Sequence, residues 1–444
     1  MTRRILVVVA TLSASLILTS CGGSKTGPPS GLTNRVLASQ GVSSTFLFGG
    51  LVTVNGYNDT LVGVPELSAG SSPGLMAISP DRNIVATFDS GSNSVFAVNT
   101  TKEASLGQVR LPGPTFSLSV PTSSDIGYAA VPTAVVTGFP VLGAVEVMNL
   151  SSGQITSTIA VDNAQTVVPN TDGTQLLVFS NDSSTITLLT PARAVPNVDL
   201  SCTPIAPNPE VCVAIPGFDR PVFAIVNQTT AYILNCGAEC GGTQASIQTL
   251  DLNTLAVSTP VKVNGATYAF LSGTNLYVAG LGTPTGPTCA SLPNAAPTGA
   301  TFCGTLDIVD LSTMTDAYFN NPATEIAITD GYHDRMDMSI NGQLFVGSQN
   351  CTNIGNAADP VGEVRGCLAI LNTNTGAVIF PPQNGNVNAL QSFTSREVEY
   401  VAEGGQLFVY DTIQDILLIN EQYLPQGTIN LVGYVGDVKA IDFF

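Results

Sequence analysis

The strongest constraint on this chain is a short strand–turn–strand unit that recurs along nearly all of its 444 residues. Its clearest copy runs Ser72-Pro73-Gly74-Leu75-Met76-Ala77-Ile78-Ser79-Pro80-Asp81, then Ile84-Val85-Ala86-Thr87, then Ser94-Val95-Phe96-Ala97-Val98-Asn99-Thr100. A unit of this size cannot bury its own apolar face. It has to stack on its neighbours, so the repeat dictates the architecture. The repeat says much less about chemistry.

The best internal ruler is the end of each unit's third strand, where an apolar residue meets an Asp, Asn or Thr able to hydrogen-bond the following turn. The marks are Val54-Asn55, Val98-Asn99, Met148-Asn149, Leu189-Thr190, Leu250-Asp251, Val309-Asp310, Leu371-Asn372 and Tyr410-Asp411. They are separated by 44, 50, 41, 61, 59, 62 and 39 residues, and the longer intervals hold Cys- and Pro-rich insertions. A period of about 40 residues accommodates four strands. The apolar runs favour Val, Ile, Thr, Tyr and Phe, no long 3.6-residue periodicity occurs beyond residue 20, and 43 Gly and 28 Pro supply turns. The class is therefore all-β.

The pieces SPGLMAISPD, SNSVFAVNTTKEA, GAVEVMNLSSGQI, GTLDIVDLSTMTD and GQLFVYDTIQD resemble the YVTN family of β-propeller repeats, over roughly residues 33–444. The resemblance implies a single propeller of four-stranded antiparallel blades. An open ring would expose a sheet edge. Arg35-Val36-Leu37-Ala38 looks like a second strand with no first, and Val438 to Phe444 looks like a first strand with no second. Together they would complete one shared blade. Seven internal units plus that blade make eight, favoured over seven.

Residues 1–20 read as a signal peptide, with Arg3 and Arg4 before a short apolar stretch from Ile5 to Leu18. Leu18-Thr19-Ser20-Cys21 resembles the lipobox of bacterial lipoproteins. That resemblance implies a thioether-linked diacylglycerol and an N-acyl chain such as palmitate on Cys21, enough for stable attachment to a membrane. Residues 21–32 would form the lipidated end and a flexible tether of about 18 Å. Gly22 in place of Asp after the cysteine favours the outer membrane. Localisation is thus the cell envelope, at the periplasmic face or the cell surface. Beyond the leader, 12 Lys+Arg face 32 Asp+Glu, a net charge of −20. Such a surface repels phosphate backbones and disfavours nucleic acid as a partner.

In an exported chain, the other eight cysteines read as disulfides between neighbours: Cys202/Cys212, Cys236/Cys240, Cys289/Cys303 and Cys351/Cys367. Each pair would lie within one blade. The last three would brace the hairpins between second and third strands on one face, in three adjacent blades. A metal reading finds no support, because one histidine and dispersed cysteine pairs do not converge on a point.

No GxSxG elbow, phosphate loop or haem attachment motif occurs, so neither a catalytic set nor a cofactor is expected. The densest polar segment is Thr329-Asp330-Gly331-Tyr332-His333-Asp334-Arg335-Met336-Asp337, which holds the one histidine. It falls where one blade crosses back to the next blade's inner strand, on the face where propellers commonly bind ligands. Asp330, His333, Asp334, Arg335 and Asp337 are therefore candidate ligand-binding residues, although an ordinary Asp-Gly turn selects the same residues. The expected function is a lipid-anchored envelope scaffold that binds another envelope protein or an exported ligand. The alternatives are a lactonase- or hydrolase-type propeller enzyme and a surface-layer or adhesion component.

Overall fold

In a computed structural model the chain forms eight antiparallel sheets of four principal strands each, arranged in a ring. The chain is an eight-bladed β-propeller. The structure describes residues 28–442 except 43–48, 63–65, 181, 195–198, 204–205, 208–209, 282–302, 322–323, 352–353, 356–363, 382–384, 413–426, 430 and 432. The signal peptide and Cys21 lie outside the described residues.

All eight marks end the third strand of a blade, and several act by the expected chemistry. Asn99 Oδ1 accepts from Lys102 N at 2.8 Å, Asp251 Oδ1 from Thr254 N at 2.7 Å, and Asp310 Oδ1 from Ser312 N at 2.8 Å. These side chains close the turn that launches the fourth strand. The described apolar core falls into eight clusters, one between each pair of neighbouring blades. Each sheet thus buries both faces against its neighbours, which is why the strands read as continuous apolar runs rather than strict alternations.

Blade 1 is the shared blade. Its outer three strands, Arg35–Gly41, Gly50–Asn55 and Thr60–Leu61, come from the N-terminal part, and its inner strand is Tyr434–Ala440. The register pairs Val36 with Ala440 and Ala38 with Val438. The closing strand lies a few residues upstream of the predicted Val438–Phe444, and Phe443 and Phe444 lie outside the described residues.

Arg35 pins this seam. It is 6% exposed, and its guanidinium donates to Asp442 from Nε at 2.9 Å and from Nη2 at 2.7 Å. Nη1 donates to Thr100 O at 2.6 Å and to Glu103 at 3.0 Å on blade 2. Glu103 also accepts from Ser30 N at 2.7 Å, so the last part of the predicted tether is docked on the ring. Replacing Arg35 by Ala strands two carboxylates in a buried setting and should cost about 3–5 kcal/mol. Chemical denaturation reads this as a lower midpoint; an unchanged midpoint would show that the pairs carry no net stability.

Three disulfides join the expected partners: Cys202–Cys212, Cys236–Cys240 and Cys351–Cys367. Cys303 is also disulfide-bonded, and its expected partner Cys289 lies outside the described residues. The second and third disulfides brace hairpins of blades 5 and 7, between their second and third strands, as expected. The first corrects the expectation that every pair stays within one blade. Leu200–Thr203 runs parallel to Gln154–Ala160 at the outer edge of blade 3, whereas Cys212–Pro216 is the outer strand of blade 4. The bond therefore ties two blades together. An insertion between the third and fourth strands of blade 4 reaches back to cover its neighbour's exposed edge.

Candidate functional site

All eight inner strands start at the end of the ring that carries the hairpins between second and third strands. In several of them an extra residue interrupts the ladder near that start. Register shifts place Gly74 and Leu75 in such a bulge in blade 2, Val222 in blade 5, Asp334 in blade 7, Asn388 in blade 8 and Gly436 in blade 1. A bulge turns the local strand and re-aims its side chains. Blades 7, 8, 1 and 2 are consecutive, so their bulges form a continuous belt around part of the channel mouth.

Hydrogen bonds tie the belt together across blades. Arg335 Nε donates to Asn388 O at 2.8 Å, and Asn388 Nδ2 donates to Val435 O at 3.0 Å and to the Tyr434 hydroxyl at 2.8 Å. Asp437 Oδ2 accepts from Met76 N of blade 2 at 2.6 Å. Gly436 has to be small, because a Cβ there would lie 2.9 Å from Gly74 Cα. Asp437 also takes Lys439 Nζ at 2.9 Å. Opposite this charged arc, Phe223 and Tyr268 on the inner strands of blades 5 and 6 stack with ring centroids 4.7 Å apart.

The candidates from sequence separate on this frame. Asp334 and Arg335 come together: Arg335 Nη1 lies 3.4 Å from Asp334 Oδ2 and donates to Asp334 O at 2.7 Å. Burial alone would depress the Arg335 guanidinium, but the Asp334 and Asp437 charges outweigh it and hold it above its ordinary value. Burial raises the Asp334 carboxyl, with Arg335 opposing. Asp330 lies in the loop before the strand, where its backbone O accepts from Ser348 Oγ at 2.7 Å. Asp337 sits at the far end of the same strand, away from the belt. His333 faces the sheet interior and is fully buried. Its Nε2 pairs with Thr329 O at 2.8 Å, and a Cβ on Gly304 would come 2.6 Å from its Cε1. Burial lowers its pKa to about 4, so the ring is neutral at pH 7. A hydrolase reading built on His333 therefore has no histidine in the channel.

The rim adds residues that sequence reasoning missed. Tyr332 is 42% exposed, Tyr434 48% and Phe116 76%, and all three lie at the mouth ends of inner strands. Partial burial, then the nearby Asp334 and Glu239 charges, push the Tyr332 phenol up to about 12. Glu239 lies within the disulfide-braced hairpin of blade 5 and accepts from Leu281 N of blade 6 at 3.0 Å. Burial raises its carboxyl to about 7. A signal for the belt was present: Pro73-Gly74, Asn388 and Gly436-Asp437 are residues that strands disfavour, placed where inner strands begin.

No protein-family model matches the chain, and no curated protein matches it. Among solved structures the fold is similar to that of the dihydro-heme d1 dehydrogenase NirN in complex with DHE. The TM-score is 0.58 and the identity 12%, over 93% of this chain and 76% of that one. It is also similar to the computationally designed Ika8 protein, with a TM-score of 0.51 and 10% identity, over 85% and 97%. The β-propeller domain of Cps50 (Swd1) from Myceliophteria thermophila gives 0.48 and 10%, over 77% and 97%. At these identities the first two likenesses show the fold alone.

Proposed function

We propose that this protein is a lipid-anchored cell-envelope propeller that binds an envelope protein or an exported ligand on its bulged mouth. The observation that carries the reading is the belt itself. Four consecutive inner strands break their ladders at one level and bring the partly exposed Asp334, Arg335 and Asn388 to one opening, where the buried Asp437 ties blade 1 to blade 2. The disulfide-braced hairpins stand at that same end. Bulges re-aim side chains and are over-represented at barrel rims and beside active sites. Lipidation rests on the Leu18-Thr19-Ser20-Cys21 motif. Ser30 is held on Glu103, at the turn between the third and fourth strands of blade 2, which belongs to the opposite face. A tether leaving from that side would present the belt away from the bilayer.

The test is cross-linking in intact envelopes, with wild type beside a Tyr332→Ala/Tyr434→Ala variant. Both rings are substantially exposed, so the double change should leave the melting temperature within about 2 °C. The expected result is a specific adduct that the variant loses. Identical adducts from both proteins would refute binding at this mouth.

A further inference from the structure

The opposite end of the channel carries a second polar site, built differently. A cavity of about 240 Å³ lies where the inner strands of blades 7, 8 and 1 end. Its walls include Asp337, Ser392, Arg82 and Asp442. Behind it, in the interface between blades 7 and 8, stands Glu399, which has no solvent exposure. Ser392 and Glu399 are directly paired across two strands of blade 8, so their side chains share one face. That face meets blade 7, because Leu390 and Val401 pack with Phe345 of blade 7. Asp337, paired with Phe345, reaches over the same interface and accepts from Ser392 N at 2.7 Å.

Neither carboxyl oxygen of Glu399 has a hydrogen-bond partner, and neither does the Ser392 hydroxyl. The Gln391 amide lies close enough to favour the ionised Glu399 but outside hydrogen-bonding geometry. Glu403, on the same strand, is buried with both oxygens idle as well, but it is paired with the apolar Val387. Glu399 is instead paired with a hydroxyl, Ser392, and stands near a second carboxylate, Asp337. That combination is what needs an explanation. The neighbouring charges do not supply one. Lys439 Nζ is held by Asp437 at 2.9 Å, Arg82 Nη1 by Ala440 O at 2.9 Å, and Asp442 by Arg35. Asp337 raises the Glu399 carboxyl further, as a second negative charge would. What remains is two carboxylates and a hydroxyl, all hard oxygen donors, beside a cavity with room for water.

We propose that the seam between blades 7 and 8 is a hard-cation site, ligated by Asp337, Glu399 and Ser392 and completed by water from this cavity. Ca²⁺ fits best, since it accepts irregular sets of carboxylate, hydroxyl and water oxygens where Mg²⁺ demands a near-ideal octahedron. The set is smaller than a trio of acidic, thiol or imidazole ligands, and no such trio occurs among the described residues. The site would cement two blades beside the ring seam, and it is independent of any ligand on the belt.

The test is thermal melting of the chelator-treated protein at pH 8, with and without millimolar CaCl₂, Mg²⁺ serving as control. Terbium luminescence serves as the second measurement; with no Trp in the chain, excitation reaches the ion through tyrosine, and Tyr410 pairs directly with Glu399. Ca²⁺ should raise the melting temperature by several degrees, by mass action on the folded state. Glu399→Gln and Asp337→Asn should abolish both the shift and the luminescence, and Ser392→Ala should weaken terbium binding several-fold. Lowering the pH to 5.5 should weaken binding, because protons compete for the carboxylates. The proposal fails if wild type shows no shift, or if Glu399→Gln keeps the wild-type response. It also fails if Glu399→Gln raises the melting temperature in a protein indifferent to Ca²⁺, which is the behaviour of a neutral buried acid. Should Glu399→Gln not fold, the Asp337 and Ser392 variants decide the question alone.

Discussion

Deleting residues 436–444 should abolish cooperative folding rather than merely lower the melting temperature. The deletion takes away most of the inner strand of blade 1, and with it Val438, Ala440 and Ile441, which are 0%, 3% and 4% exposed. Burying a Val or Ile contributes about 1.5–3 kcal/mol each. The Arg35–Asp442 pair goes too, leaving Glu103 as the remaining carboxylate partner of a buried guanidinium. Asp437 no longer holds Met76 N of blade 2. The strand Arg35–Gly41 is left with a bare edge, and an unpaired edge in a ring invites association between chains. Summed, these losses rival the total of about 5–15 kcal/mol that holds a typical fold. Circular dichroism melting should show no cooperative transition, and a synthetic peptide spanning residues 430–444 should restore one. A truncated protein that melts at the wild-type temperature would mean that the ring does not close through this strand.

The parts of this fold that were legible in sequence are those fixed by local rules. Asn55, Asn99, Asn149, Asp251, Asp310 and Asn372 mark strand ends because their side chains close turns within a few residues of themselves. Counting these six together with Thr190 and Asp411 counts the blades. The shared blade was legible because an orphan second strand and an orphan first strand sit at opposite ends of the chain. What escaped was whatever depends on contact between blades. The strand Leu200–Thr203 looks like part of its own unit, and only the packed ring shows it paired to blade 3. His333 stands beside Asp334 in a polar run, yet strand alternation turns His333 into the sheet stack, and the bulge leaves Asp334 unpaired beside Arg335. Glu399 gives no local hint of burial, since a charged residue inside an apolar strand reads equally as a solvated position. Asn388 and Gly436 were visible as strand-breaking residues, but their meaning lies in a register that spans blades.

The second large effect is an inverted dependence of stability on pH. Three carboxyls almost fully withdrawn from water, Glu146, Asp307 and Glu403, are each 1% exposed. Burial raises Glu146 and Asp307 to about 7 and Glu403 to about 8. At Glu403 the nearby Cys367 N–H opposes the rise only in part, being committed to Gly385 O at 3.1 Å. In each case the folded protein binds a proton that the unfolded chain has already released. Stability therefore falls as pH rises from the ordinary carboxyl value through the folded one. At about 1.4 kcal/mol per unit, each group contributes on the order of 3 kcal/mol across that window. His333 runs the other way: it is held neutral down to about 4, so it withdraws stability only as pH falls below its ordinary 6.5. One histidine does not offset three carboxyls, and the growing negative charge adds self-repulsion at high pH. The melting temperature should accordingly peak near pH ~5 and drop steadily toward pH ~8.5. Glu403→Gln separates this account from a general charge effect. The amide mimics the protonated acid, so the variant should match wild type near pH ~5 and melt higher near pH ~8.5. A variant less stable than wild type at the alkaline end would show that Glu403 is ionised and satisfied in the fold.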